Sequence, residues 1–79
     1  MKLILATANF CGPCQLLKRK ISDEKLEVEM VEMESNMDLF KKYNVKAVPR
    51  LLVVENDELK ESIQGMEDII KKIKEHATH

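Results

Sequence analysis

The sequence contains no tryptophan, one tyrosine and two phenylalanines, and only two glycines, two prolines and two cysteines in 79 residues. Charge of the two signs nearly cancels, 13 Lys and Arg against 14 Asp and Glu, leaving a net charge of −1. Without a basic excess or a basic tract interleaved with aromatics, the footprint of a nucleic-acid binder is missing. No apolar run approaches the roughly 20 residues that a bilayer-spanning helix needs. No internal repeat, linker or low-complexity stretch divides the chain. It reads as a single domain over residues 1–79 with a limited core. Apolar residues at 44% suffice for a globular fold, and charged residues at 34% give it a soluble surface. Neither a nucleic acid nor a membrane is expected as a partner.

What is present centres on Cys11-Gly12-Pro13-Cys14. Two cysteines at this spacing, in a chain with no others, form either a dithiol redox couple or half of a metal site. Upstream, Lys2 to Ala6 is a short apolar run with the look of a buried strand. Downstream, Cys14, Leu17 and Ile21 recur at helical spacing, with Leu16 beside them. The tetrapeptide therefore sits at a strand-to-helix junction. With Cys11 as N-cap, Gly12 and Pro13 make the first turn, where a proline is tolerated because the missing N–H would have had no helical partner.

Cys11 then faces unpaired N–H groups and the positive end of the helix dipole. Both favour a thiolate over a thiol. Pro13 donates nothing, so the Cys14 N–H is the expected donor to the Cys11 sulfur. Cys14 lies one turn in on the same face, near enough for an ordinary Cys11–Cys14 disulfide, and should be more buried with the higher pKa. This asymmetry assigns roles. Cys11 attacks a disulfide and forms a mixed disulfide, and Cys14 then attacks Cys11 and releases the reduced product. A purely structural staple is the weaker reading, because closing so small a loop removes little chain entropy.

The opening Met1 to Ala8 mimics a secretory signal, but its apolar run is shorter than the roughly 7–15 residues of a signal core. It reads as a strand, and reduced cysteines fit a cytoplasmic location. After a polar connector at Ser22 to Lys25, Leu26 to Glu34 alternates apolar and acidic residues with a slip at Met30-Val31. A second strand is expected there, bulged or partly covered on both faces. Ser35-Asn36-Met37-Asp38 has the shape that opens a helix. Met37, Phe40 and Tyr43 form its apolar stripe, with Leu39 adjacent, and Asn44 suits a left-handed stop.

Val45 to Pro49 leads into a third strand, Leu51 to Val54, with Pro49 safely outside the ladder. Asn56-Asp57 marks a tight turn before Leu59 to Ile63, a half-exposed edge strand guarded by charge and ended by Gly65. The last helix is expected from Met66 to Ala77. Met66, Ile70, Ile73 and Ala77 line its inner face, and Ile69 widens it. The element order β-α-β-α-β-β-α gives an α/β fold with a four-stranded mixed sheet and helices on both faces. The first two crossovers are expected to make parallel pairs, and the last hairpin an antiparallel edge.

With Phe10-Cys11-Gly12-Pro13-Cys14 after the first strand and Lys42-Tyr43-Asn44-Val45-Lys46-Ala47-Val48-Pro49 before the third, the chain resembles the thioredoxin family over nearly its whole length. The resemblance implies a thioredoxin-like fold and a dithiol–disulfide oxidoreductase without cofactor, working as a monomer. Its partners would be disulfide-containing proteins, with thioredoxin reductase or another thiol donor regenerating it. It further implies that Pro49 follows a cis peptide bond beside the dithiol, and that the Val48 backbone pairs with an incoming substrate strand. Phe10, Arg50 and Gly65 complete the implied substrate groove.

Several positions depart from the family pattern. The buried acid that usually helps deprotonate the second cysteine is Leu5, the usual tryptophans are Phe10 and Thr7, and the residue after the implied cis-proline is Arg50. Arg50 could stabilise a thiolate, meet an acidic partner, or be a solvated strand end. A glutaredoxin-like, glutathione-dependent electron donor is the nearest alternative. Its customary lysine is Ala8 here, and Gly65-Met66-Glu67-Asp68 only loosely resembles its glycine-acid segment. Lys18, Arg19 and Lys20 read as a solvated helix face complementing the dipole.

Two readings come from other classes. His76-x-x-His79 with the dithiol could suggest zinc, but the last helix should end far from the cysteines, and no metal is expected. A copper carrier would have a methionine at position 9, which is Asn9, and a different element order. A thioredoxin-shaped subunit with incidental thiols is a third possibility, and it would keep its function if both cysteines became serine.

Overall fold

The computed structural model describes residues 1–77. Strand β1 (Lys2–Thr7) runs into helix α1 (Gly12–Asp23), followed by β2 (Glu29–Glu32), a 3-10 turn (Met33–Ser35), α2 (Met37–Lys42), β3 (Arg50–Glu55), β4 (Glu58–Ile63) and α3 (Met66–Ala77). The four strands form one mixed sheet in the order β2-β1-β3-β4. The central strands β1 and β3 carry continuous buried runs, as strands covered on both faces do.

Alternation along these two strands builds two cores. Leu3, Leu5, Leu51 and Val53 face α1 and α3, where they meet Leu17, Ile21, Ile69, Ile70 and Ile73. Ile4, Ala6, Leu52 and Val54 face the other way, onto Phe40 of α2 and Val45. Helices thus lie on both sides of the sheet, as the hydrophobic pattern implies.

One strand direction differs from expectation. The first crossover makes a parallel β1–β2 pair, but β3 lies antiparallel to β1. The reversal follows from where the two strands meet the sheet. Glu32 at the end of β2 lies opposite Thr7, and Arg50 at the start of β3 lies opposite Ala6, so β3 begins at the sheet end where β2 finishes. The connection through the 3-10 turn, α2 and the loop to Pro49 thus returns the chain to the end of the sheet that it left.

Smaller corrections follow from local geometry. The second strand covers only Glu29–Glu32, because Lys25 turns the chain with φ 55° and Leu26 and Val28 pack beneath the α1–α3 layer. The register shift falls in the β3–β4 pair, at Val53/Val54. Ser35 belongs to the 3-10 turn, and α2 is capped by Asn36, whose side-chain amide instead donates to the Glu32 carbonyl at 3.0 Å. Met37 and Ala77, expected on inner faces, are exposed. Asn44 takes the left-handed conformation expected of a helix stop, φ 55°, and Asn56 and Asp57 do so in the β3–β4 turn.

Candidate active site

The end of β1 and the start of α1 are held by backbone bonds. The Cys11 N–H donates to the Ala8 carbonyl at 3.2 Å, closing the turn that lifts the chain out of the sheet. Cys11 adopts an extended conformation, φ −93° and ψ 112°, as the N-cap of α1, and its sulfur accepts the Cys14 N–H at 3.2 Å. Gly12 and Pro13 occupy the first turn, as read from the tetrapeptide. Both cysteines carry free thiols.

The two thiols sit in different media. Cys11 is partly accessible, whereas Cys14 has no exposed surface. Burial pushes the Cys14 thiol up from its ordinary value of 9.0 to about 11, and its hydrogen bond to the Cys11 sulfur adds to the rise. A backbone hydrogen bond from Ala8 and the charge of Lys18 oppose it. Removing a charge from water is costly, and at Cys14 that cost outweighs the local dipoles.

The third component comes from the far side of the sheet. The Val48–Pro49 peptide bond is cis, and the Val48 carbonyl accepts the Cys11 S–H at 3.7 Å. The chain between α2 and β3 thus lies directly against the dithiol, as the resemblance implies. Phe10, next to Cys11 in the chain, is 75% exposed, an aromatic ring left in water. Gly65, with φ +98°, immediately precedes α3, and its carbonyl accepts the Ile69 N–H at 3.0 Å. A Cβ there would meet only Asp68 Oδ2 at 3.9 Å, so backbone conformation and not crowding selects glycine.

Arg50 is placed differently from the thiol partner considered above. Its Nη1 donates to Ser62 Oγ at 2.8 Å and its Nη2 to Gln64 Oε1 at 3.2 Å. Both bonds go to the adjacent strand β4 and its exit, so the guanidinium ties β3 to the segment just before Gly65. Leu5 is fully buried in the α1–α3 layer, and Thr7, fully buried, donates to the Val31 carbonyl at 3.3 Å. His76 is exposed on α3, and His79 lies outside the described residues. Among the described residues no group of three His, Cys, Asp or Glu could hold a metal ion.

Sequence reasoning missed the braces of the turn. The Asn9 N–H donates to both carboxylate oxygens of Glu34, at 3.3 and 3.2 Å, and the Gln15 amide donates to the Asn9 carbonyl at 3.4 Å. Glu34 lies 25 residues from Asn9, and no local pattern signals that contact. It also missed the ion pair between Lys18 and Glu32, at 3.3 Å.

A capped thiol one turn from a buried one, facing a cis-proline loop at the edge of an α/β sheet, defines a dithiol-site protein of thioredoxin-like fold. The family model for thioredoxin matches residues 1–75, and the chain belongs to that family. It is 28% identical over 64 residues to a thioredoxin of Bacillus subtilis, an alignment covering 73% of this chain and 62% of that one. It is 28% identical over 67 residues to the mitochondrial thioredoxin of Mus musculus, covering 77% of this chain and 40% of that one. The chain thus spans between two fifths and somewhat under two thirds of these relatives. Among solved structures, thioredoxin 1 of Thermosipho africanus superposes with a TM-score of 0.70 at 14% identity, over 99% of this chain and 96% of that one. The thioredoxin of Malassezia sympodialis gives 0.75 at 20% identity, over 94% and 72%. At these identities the structural matches speak to the fold.

Proposed function

We propose that the chain is a dithiol–disulfide oxidoreductase that reduces protein disulfides, with Cys11 as nucleophile and Cys14 as resolving thiol. The observation that carries this reading is the pair of contacts on one sulfur: the Cys14 N–H at 3.2 Å and the Val48 carbonyl at 3.7 Å. The backbone N–H at the helix mouth is aimed at the sulfur that attacks, and the Val48 carbonyl holds that sulfur beside the cis-proline loop. Being partly accessible, it can meet a substrate disulfide.

The Cys11 thiolate attacks one sulfur of that disulfide, and the other leaves with the electron pair and takes a proton. Cys14 then loses its proton and attacks Cys11, expelling the second substrate sulfur as a thiolate. The substrate gains two electrons, and the chain is left with a Cys11–Cys14 disulfide. The backbone beside Val48 and Pro49 would align an extended substrate segment, with exposed Phe10 against its flank. Regeneration needs a two-electron thiol donor, and a reducing compartment such as the cytosol keeps the couple ready as a monomer.

The test is insulin-disulfide reduction with thioredoxin reductase and NADPH and, separately, with glutathione and glutathione reductase. Turnover in the first arm identifies a flavoprotein-fed reductase, and turnover only in the second identifies the glutathione-dependent alternative. Cys11→Ser should abolish turnover, and Cys14→Ser should stop it after one event with the substrate held in a mixed disulfide visible by mass spectrometry. Turnover surviving the Cys11 substitution would overturn the reading.

A further inference from the structure

Cys14 must become an anion to finish the cycle, and it does so with no exposed surface. A thiolate formed there gives up its hydration, so something in the protein has to offset the loss. The β1 side chain nearest the usual place for such a group, Leu5, is apolar and buried.

The helix itself supplies a cation. Lys18 follows Cys14 by four residues on α1, so the two lie one above the other on one face. Side chains on a helix tilt toward its N-terminus and cover the preceding turn, which here is the turn of Cys14. The ammonium is not free in water. Its side chain is 23% exposed, and Nζ lies 3.3 Å from Glu32 Oε1. Glu32 ends β2 opposite Thr7 of β1, so the pair bridges α1 to the sheet at the level of the strand-to-helix junction.

We propose that Lys18, braced by Glu32, is the positioning cation of the resolving step, stabilising the Cys14 thiolate as it attacks Cys11. This rests on the dithiol reading given above. Among the causes acting on Cys14, the charge of Lys18 favours ionisation, against burial and the Cys11 sulfur. The remaining charged groups on the elements around the junction are otherwise placed. Glu34, in the 3-10 turn, accepts the Asn9 N–H. Arg50 of β3 is committed to Ser62 and Gln64. From α3 the first turn brings only the exposed acidic side chains of Glu67 and Asp68. The end of β1 brings Thr7 and Ala8, which do not ionise.

In the step itself Cys14 releases a proton, its sulfur bonds to Cys11, and the Cys11–substrate bond breaks with its electron pair on the substrate sulfur. Dithionitrobenzoate, an aromatic disulfide, separates this step from the first. One thionitrobenzoate leaves when Cys11 attacks and a second when Cys14 resolves, and both are followed by stopped-flow absorbance from neutral to alkaline pH.

Lys18→Met should leave the first phase unchanged and move the second phase to higher pH. A rise of one unit in the Cys14 pKa cuts its thiolate tenfold below the midpoint. The more basic thiolate recovers about threefold in nucleophilicity, so the second phase slows about threefold. Lys18→Gln should behave alike, and Lys18→Arg should restore the parent profile. The double variant Lys18→Met with Glu32→Gln should still be slow, since it removes the cation without stranding a carboxylate. A second phase unmoved in Lys18→Met and Lys18→Gln, or a parent profile in the double variant, would overturn the proposal. Absence of any second phase in the parent protein would instead overturn the dithiol reading.

Discussion

The two faces of the sheet are built to different depths, and the site lies on the seam between them. One face is covered by α1 and α3, twelve residues each, and the other by the six-residue α2, the 3-10 turn and the loop to Pro49. Among the described residues the first core buries nine side chains and the second six. Cys14 grows from the thick layer, whereas Val48 and Pro49 come from the thin one. The difference shows a division of labour. The deeper layer keeps water from the Cys14 sulfur and fixes the dithiol to a long helix. The thinner one places the Val48 carbonyl and Pro49 against the dithiol, the backbone that the proposed function offers to a substrate.

The largest expected effect tests whether the two layers are separable. Among the described residues Phe40 is the only aromatic buried in the thin core, and Phe40→Ala should cost about 3–5 kcal/mol, against about 2–5 for Leu17→Ala in the thick one. Urea unfolding gives both numbers. Under conditions where each variant is still folded, Leu17→Ala should also admit water to Cys14 and speed its alkylation, while Phe40→Ala should not. Equal acceleration of Cys14 alkylation in both would mean that the layers yield together.

A second prediction sharpens the comparison through pH. In the folded state the Cys14 thiol is pushed up to about 11, whereas unfolding returns it to about 9.0. Between those values the unfolded chain has lost a proton that the folded chain keeps, so stability falls as pH rises. Cys14 therefore contributes its full share below pH ~9 and loses about 2–3 kcal/mol of it by pH ~11. Unfolding under reducing conditions at several alkaline pH values should show this decline, and Cys14→Ala should remove that part of it. A decline identical in parent and variant would show that the thick layer does not exclude water from the sulfur.

Much of this arrangement was legible from the chain alone, and what was legible was local. An apolar run before Cys11, helical spacing after it and a proline in the first turn fix the junction, because capping and periodicity act within a turn or two. The inner face of α3 was readable for the same reason, except at Ala77, which ends the helix exposed. The direction of β3 was not, since it depends on which end of the sheet the connection through α2 returns to and not on any residue in β3. Nor could the sequence show that Arg50 would spend its two side-chain bonds on Ser62 and Gln64, or that Glu34 would cap the turn at Asn9. Those partners lie 12 to 25 residues apart and meet only once the sheet has formed. Lys18 was read as solvated because its partner, Glu32, sits in a strand whose edge position no local pattern reveals.

The smallest expected effects come from the two glycines, one in the first turn of α1 and one just before α3, which should respond with opposite sign. Gly65 has φ +98°, a conformation an L side chain adopts only under strain, although the space beyond it is open. Gly65→Ala should therefore cost about 1–2 kcal/mol through the backbone alone. Gly12 lies in the first turn of α1, with nothing within 4 Å of an added Cβ and no positive φ. Gly12→Ala restricts the unfolded chain without straining the folded one, and should stabilise by about 0.4–1 kcal/mol. Urea midpoints measured side by side, with the slope unchanged, would show both signs. A neutral Gly65→Ala would mean that the segment entering α3 relaxes its backbone freely. The entrance to α3 would then be as pliable as the Val48–Pro49 loop, and only α1 would remain a fixed wall of the seam.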